Sequence, residues 1–399
     1  MNFLKMIVNK RAFIIFLVLS AFCATNIAAQ NWYKGNLHTH TLWSDGDEYP
    51  EMVIDWYKSR GYDFIGLSDH NKVQEGIAWI NIPRTSVARE AFNSYLFKYG
   101  DAWVDFKRWE NDSLRVRLQT LEECRGLFEE KGVFYIFKNE EITSNFNGNP
   151  VHINATNIQK VIPRQTGNSI VDVIQKSVNM VSDQRRETDQ KMFAQINHPN
   201  FGLAITAEDI MQIHNVRFFE VFNGGPATNN YGDAFHDSTE VMWDKINLHY
   251  LKEDRPLIFG LAVDDSHSFH VFNSSLNNPG RAWIMVNASK LDPELIIESL
   301  ESGNFYAITG VLLEKLNSGS KKIFLRIKKE DGISYRIQFI GARRGSNKAE
   351  ILKEIKNTKA TYRITKKDLF VRAKIISSKP KANPFRWGDV ETAWTQPVN

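Results

Sequence analysis

Residues 62–70 read Tyr-Asp-Phe-Ile-Gly-Leu-Ser-Asp-His, an apolar run closed by three polar residues. A strand buried on both faces shows such an unbroken apolar run instead of alternation. The pattern recurs in residues 36–41 (NLHTHT), 133–142 (VFYIFKNEEI), 150–158 (PVHINATNI), 192–200 (MFAQINHPN), 217–224 (RFFEVFNG) and 256–267 (PLIFGLAVDDSH). Helical spacing lies between several of these runs, as in residues 51–61 and 113–132. Repeated strand–helix units predict an α/β fold, either a parallel barrel or a doubly wound sheet. The runs end in SDH, EE, NHP, FNG and DDSH. In a barrel such ends collect on one face, where active sites are built, and this favours the barrel.

The chain has 399 residues, 42% of them hydrophobic and 24% charged, enough apolar content for a packed core. Disorder is excluded, and two cysteines cannot form a disulfide scaffold. The formal charge of +4 argues against a nucleic-acid partner. That total conceals an imbalance, because residues 314–399 hold 21 Lys and Arg against 8 Asp and Glu. Residues 30–313 carry −12 and the first 29 residues +3. The change of sign predicts two domains, an acidic body of residues 30–313 and a basic unit of residues 314–399.

The first 29 residues read as a secretory signal peptide. Lys5, Lys10 and Arg11 precede the apolar run 12–24, and small residues follow up to Ala29. The run is shorter than the ~20 residues of a spanning helix. Export is therefore expected, to a periplasm or the medium, with no membrane span after cleavage. Cys124 would be the one thiol of the mature chain, packed as a small hydrophobe.

Beyond Gly310 the periodicity changes. Ile323, Leu325 and Ile327 alternate with charges, Asp331-Gly332 signals a two-residue hairpin, and residues 334–340 alternate again. Residues 361–365 and 369–377 look like further strands, so the unit is expected to be a small antiparallel β-sandwich. Its lysines and arginines read first as a solvated strand face, with a docking surface for an acidic partner as the alternative.

The chemistry lies in strand-end histidines and carboxylates. His38 and His40 are two apart, which on a strand aims both imidazoles to one side, and Asp45 follows. Asp69-His70, Glu141, His152, His198, Asp265 and His267 repeat the placement, so six of the ten histidines sit at these positions. Imidazole and carboxylate without thiolate suit Zn, Mn or Fe in an open catalytic site. Nine donors exceed the needs of one ion, and two or three divalent ions are expected. Asp69 is a candidate to orient a ligand histidine, and Arg281 is a candidate to grip a substrate phosphate bidentately.

HTHTLWSDG, LSDHN, NEEIT, PVHINA, INHPN and DDSH resemble, in order, the motifs of the PHP (polymerase and histidinol phosphatase) family across residues 34–310. The chain is most similar to exported members with a barrel and a following β domain, near the carbaryl-hydrolase-like branch. The resemblance implies a distorted (β/α)7 TIM-like barrel with a trinuclear metal site. It carries the ligand roles onto His38, His40, Asp45, His70, Glu141, His152, His198, Asp265 and His267. Glu140 and Glu141 are both available after the third strand, and the following Ile-Thr favours Glu141. Where this branch often reads Asn-Gly-His-Pro, residues 223–226 are Asn-Gly-Gly-Pro.

Clustered divalent ions acidify a shared water and supply a hydroxide nucleophile at neutral pH. The first expectation is therefore an exported metal-dependent phosphoesterase with a small-molecule ester substrate, His70, Asp265 and His267 carrying catalysis. A hydrolase of a carbamate, amide or carboxyl ester is the alternative. The second alternative is a non-catalytic, metal-containing surface binding protein. A phosphate-gripping Arg or Lys in the pocket would favour the phosphoesterase, and an apolar pocket the hydrolase of a carbamate, amide or carboxyl ester.

Overall fold

The computed structural model describes residues 31–399, so the expected signal segment lies outside the described residues. The chain forms a mixed α/β fold around one 13-stranded sheet. Seven strands of that sheet lie in the first part: β1 (Asn31–Asn36), β2 (Phe64–Leu67), β3 (Tyr135–Phe146), β4 (Asn149–Thr156), β5 (Phe193–Ile196), β6 (Phe218–Asn223) and β7 (Phe259–Val263), while Ala78–Asn81, Phe106–Arg108 and Leu114–Leu118 form a separate three-stranded sheet. Then come β8 (Trp283–Ala288) and β9 (Phe305–Ile308). The last part holds β10 (Leu313–Gly319), β11 (Lys322–Ile327), β12 (Tyr335–Arg343), β13 (Glu350–Lys356), β14 (Lys359–Arg363), β15 (Asp368–Pro380) and β16 (Val390–Thr395).

In the large sheet the strands follow the order β7-β6-β5-β4-β3-β2-β1-β8-β9-β16-β15-β12-β13. Strands β1, β2 and β3 are parallel neighbours, as are β5, β6 and β7. An all-parallel row was expected, and β4 departs from it by pairing antiparallel with both β3 and β5. The cause is local: β3 and β4 are joined only by Asn147 and Gly148, both with positive φ, and a two-residue connection makes a hairpin. Beyond the strand ends, Thr39 bridges Ser266 in parallel, so the segments following β1 and β7 meet. This arrangement is compatible with a barrel-like domain. Helices Ile170–Thr188 and Thr239–Lys252 pack Val173, Ile174, Val178, Trp243 and Ile246 against Ile153, Ile196, Phe219 and Val221 in one apolar cluster.

Residues 113–132 read as helical throughout, but their first part is a strand, Leu114–Leu118, and only Leu121–Phe128 is helix. Leu114, Val116 and Leu118 are buried on one side, a period of two that the helical spacing concealed. Cys124 is buried in that helix, and burial pushes its thiol pKa well up.

The last part also departs from simple hairpin order. Asp331-Gly332 does not join two paired strands, because β11 pairs with β10 and β14, whereas β12 pairs with β13 and β15. The turn crosses between two sheets. Ile323, Leu325 and Ile327 of one sheet and Ile337, Phe339 and Ile375 of the other share a single apolar cluster. Lys322 and Arg326 lie exposed on the opposite face, as the alternation predicts. The large sheet runs unbroken across residue 314, since β9 pairs with β16. Among the described residues no helix is long and apolar enough to cross a membrane.

Candidate metal centre

His38 and His40 stand just beyond the end of β1, not within it. Leu37, before them, is held by two buried asparagines: Asn139 and Asn154 each donate a side-chain N–H to its carbonyl at 3.2 Å. Gly66 makes room for this, because a Cβ there would lie 2.0 Å from Asn139 Nδ2. Asp265 follows the end of β7 with φ of 50°, a left-handed conformation unusual for a residue with a side chain, and its N–H donates to the His38 carbonyl at 3.0 Å. Strained backbone of this kind persists where surrounding contacts over-determine it.

The fold gathers all nine expected ligands into one cluster. Their donor atoms form four overlapping groups: His40, Asp45, His70 and His267; His38, His40 and Glu141; His38, His198 and Asp265; His70, Glu141 and His152. Glu141 is buried at the centre, 3.4 Å from His38, 3.5 Å from His40, 2.7 Å from His70, 3.1 Å from His152 and 3.3 Å from His198. Asp265 Oδ1 lies 3.2 Å from both His38 Nε2 and His40 Nε2. At the mouth Asp45, its side chain 56% exposed, lies 3.4 Å from His70 Nε2 and 3.3 Å from His267 Nε2.

These gaps have a chemical meaning. Ligands at ~2.1 Å from a tetrahedral ion stand ~3.4 Å from one another. Most nitrogen–oxygen separations in the cluster fall near that value. His38 Nε2, His40 Nε2, Glu141 Oε2 and Asp265 Oδ1 are also buried without any hydrogen-bond partner. Buried polar atoms are rarely left unpaired, and four converging on one point fit coordination of divalent cations. Burial and the adjacent His267 imidazole push the His40 pKa down to about 3, which keeps that ring neutral with a free lone pair. Burial alone would raise Glu141, but His152 and His38 beside it hold its carboxyl well below the usual range.

Glu220, on β6, is the residue that sequence reasoning missed. It is fully buried, with Oε1 2.6 Å from His38 Nδ1. It also accepts from Gln195 at 2.9 Å, Asn223 Nδ2 at 2.8 Å and the His198 N–H at 2.8 Å. A carboxylate behind a ligand histidine fixes its ring and raises its basicity. The available signal was a lone acid in the apolar run Phe-Phe-Glu-Val-Phe. Replacing Glu220 with glutamine should weaken metal affinity and turnover by ~10- to 100-fold, and should also lower the melting temperature of the metal-free protein, because the new NH2 would face N–H donors; metal titration beside calorimetry checks both.

Asp69 holds the loop instead of a histidine. It accepts from Thr41 N and Oγ1 at 2.8 Å, Ser44 Oγ at 2.6 Å and Gln74 Nε2 at 2.6 Å, bracing the turn that presents Asp45. His70 is set by Thr143 Oγ1, 2.5 Å from Nδ1. Asn197 Nδ2 donates to Glu141 at 2.8 Å, and Asn223 Nδ2 donates to Asp265 at 3.1 Å.

The pair expected after the third strand lies within it, because β3 continues to Phe146, and of the two Glu141 faces the cluster. Glu140 points away and accepts from the Ile162 N–H at 2.7 Å. Burial pushes the Glu140 pKa up to about 7. A carboxyl raised above its unfolded value binds more protons when folded, so its contribution is present below about 4.5 and lost as pH rises through about 7. Glu140→Gln should flatten that loss, stabilising the protein at pH 8 relative to the parent but not at pH 4; denaturant unfolding at the two pH values checks it.

Arg281 is not in the pocket. Its guanidinium donates to the carbonyls of Gly224, Leu276, Asn273 and Asn383 at 2.6–3.0 Å, and Nη2 also faces Asn278 Oδ1 and Asn383 Oδ1 at 3.4 Å, so its five N–H groups all meet acceptors within the protein. The cavity over the cluster, about 140 Å³, is lined by ligands together with Phe201, Ala227, Thr228 and Asn277, and by no lysine or arginine among the described residues.

No family model matches the chain, and no curated protein matches it. Among solved structures it is similar to a two-domain protein from Bacteroides vulgatus containing a predicted PHP-like metal-dependent phosphoesterase. The identity is 13%, with a TM-score of 0.40, covering 92% of this chain and 95% of that one. It is also similar to an amidohydrolase from Chromobacterium violaceum with bound sulfate and no metal, at 13% identity and a TM-score of 0.32, covering 68% and 96%. Likeness at this level decides neither fold nor activity. The donor set does bear on the family. The cluster fits a PHP-type site. All nine residues of that cluster are ones the resemblance had singled out.

Proposed function

We propose that this chain is a metal-dependent hydrolase that cleaves a phosphate ester outside the cytoplasm. It would be a PHP-type enzyme in which a seven-stranded barrel of residues 30–313 holds two or three divalent ions, followed by a β-sandwich of residues 314–399. Export would rest on residues 1–29. The observation that supports the reading best is the convergence of four unpaired buried donor atoms within a nine-ligand cluster.

His38, His40, Asp45, His70, Glu141, His152, His198, Asp265 and His267 would hold the ions. When bound, such ions supply Lewis acidity and acidify water toward neutral pH. The chain's own residues arrange the rest. Asp265 faces both His38 and His40 through one oxygen. His267 is fixed by its Nδ1, which donates to the Asp265 carbonyl at 2.9 Å and turns Nε2 toward Asp45. Asn277, its amide 3.5 Å from His267 Nδ1, presents an uncharged polar group to the pocket. Asp45, Glu141 and Asp265 with Glu220 behind them would balance two divalent ions and leave a net positive site with three, which suits an anionic phosphoryl group.

A second reading, hydrolysis of an amide, carbamate or carboxyl ester, is favoured by the pocket lining. It offers Phe201 and Ala227 but no cationic side chain. The test is elemental analysis of the purified chain followed by assays on phosphate mono- and diesters, carboxyl esters and amides. At least two ions per chain with phosphate-ester turnover abolished by chelation is the expected result. Fewer than two ions would remove the clustered-site reading. Turnover confined to carboxyl esters or amides would transfer the assignment to the second reading, and metal without turnover would leave a binding protein.

A further inference from the structure

The last part of the chain reaches the supports of the metal cluster through residues 381–389, the connection between β15 and β16, which contact Arg281 and Phe222. We infer that Arg281 is a positioning residue that uses this connection to set the loops flanking Asp265 and His267, so that the C-terminal part completes the metal centre. The inference rests on the PHP-type reading of those two ligands.

Arg281 is 3% exposed, and its three nitrogens reach three separate segments. Nη1 donates to the Gly224 carbonyl at 2.9 Å and the Leu276 carbonyl at 2.6 Å, Nη2 to the Asn273 carbonyl at 2.7 Å, and Nε to the Asn383 carbonyl at 3.0 Å. Gly224 directly follows Asn223, whose amide holds Asp265. Leu276 directly precedes Asn277, whose carbonyl accepts the N–H of His267 at 2.9 Å and of Ser268 at 3.0 Å. One guanidinium thus grips both shoulders of the ligand pair. Its fourth anchor belongs to the C-terminal part.

That anchor is itself fastened. Phe385 stacks on Phe222 at 5.9 Å, Lys381 Nζ lies 4.1 Å over the same ring, and Tyr231 donates its hydroxyl to Asp389 at 2.6 Å. Phe222 precedes Asn223 on β6, so these contacts press on the strand end that supports Asp265. A planar five-donor fork can hold four carbonyls in fixed directions, and a lysine ammonium cannot. Partners of this kind change metal affinity without contacting the ion.

The full-length protein should be titrated with Co²⁺ and read by visible absorption for the parent, Arg281→Lys, Phe385→Ala and Arg372→Met. The last variant lies on the same interface but away from the ligands. Arg281→Lys and Phe385→Ala should bind Co²⁺ ~10- to 100-fold more weakly with an altered spectrum. Arg372→Met should melt at lower temperature yet bind as the parent does while folded. Amide exchange without metal should also quicken in residues 223–231 and 268–278 of the first two variants only. Parent-like affinity, spectrum and exchange in both would overturn the inference. Should Arg281→Lys fail to fold, the half-buried Phe385→Ala carries the test. A parent protein that binds no Co²⁺ would remove the hydrolase reading, and the metal-free exchange would then decide the inference by itself.

Discussion

Glu141→Gln should empty the metal centre and lower turnover by at least ~10³-fold, about 4 kcal/mol of barrier. The two oxygens of this carboxylate face five imidazoles, those of His38, His40, His70, His152 and His198. Among the described residues no other carboxylate lies within 4.0 Å of five histidines; Asp265 reaches four. Glutamine keeps the shape, so the surrounding strands stay packed, but it removes the charge and replaces one acceptor with a donor facing histidine lone pairs. The measurement is ions per chain by elemental analysis, paired with turnover on whichever ester the parent cleaves. A variant that keeps its full complement of ions and more than a tenth of its activity would overturn the central role given to Glu141. Thermal melting of both proteins in chelator separates loss of metal from loss of fold.

Arg372→Ala should destabilise the protein by ~3–5 kcal/mol, the usual cost of leaving a buried ion-pair partner alone. Arg372 is 1% exposed on β15 and forms a bidentate pair with Asp244 at 2.7 and 2.8 Å, its guanidinium 4.8 Å over the Trp243 ring. Asp244 and Trp243 belong to the helix Thr239–Lys252, so the pair ties the C-terminal sheet to the barrel-like part. Without Arg372 the Asp244 carboxylate stays largely buried, whereas Glu240 keeps Lys374. Denaturant unfolding should show a lower midpoint at unchanged slope. The double variant Arg372→Met/Asp244→Leu should recover most of the loss, because two apolar residues of similar volume remove the stranded charge. No recovery would show that packing, not the ion pair, governs the site.

Much of the centre is legible from local sequence. His38, His40 and His70 each close an apolar run, and so do Asp265 and His267, because a ligand atom must leave a buried strand at its end to reach a shared face. Arg281 shows the opposite case. Its place soon after DDSH suggested a substrate grip, yet its side chain turns toward carbonyls from three segments. Nothing near residue 281 announces that Asn383 will lie beside it. The Asp331-Gly332 turn misled for a related reason: turn chemistry specifies a local reversal but not which strands pair beyond it.

Taken alone, the sequence pointed to the α/β character, the nine His, Asp and Glu residues that the fold brings together, the buried thiol and the alternating basic strands near the C terminus. These follow from composition and from periods of two to four residues, which survive in any arrangement of the segments. Tertiary structure alone decided the passage of one sheet through both parts of the chain and the supports of the metal centre. Glu220 stands 182 residues from the His38 ring it holds. A hydrogen bond over that separation exists only because β6 ends on the same face as β1, and that neighbourhood is set by strand order and packing, not by any short-range pattern.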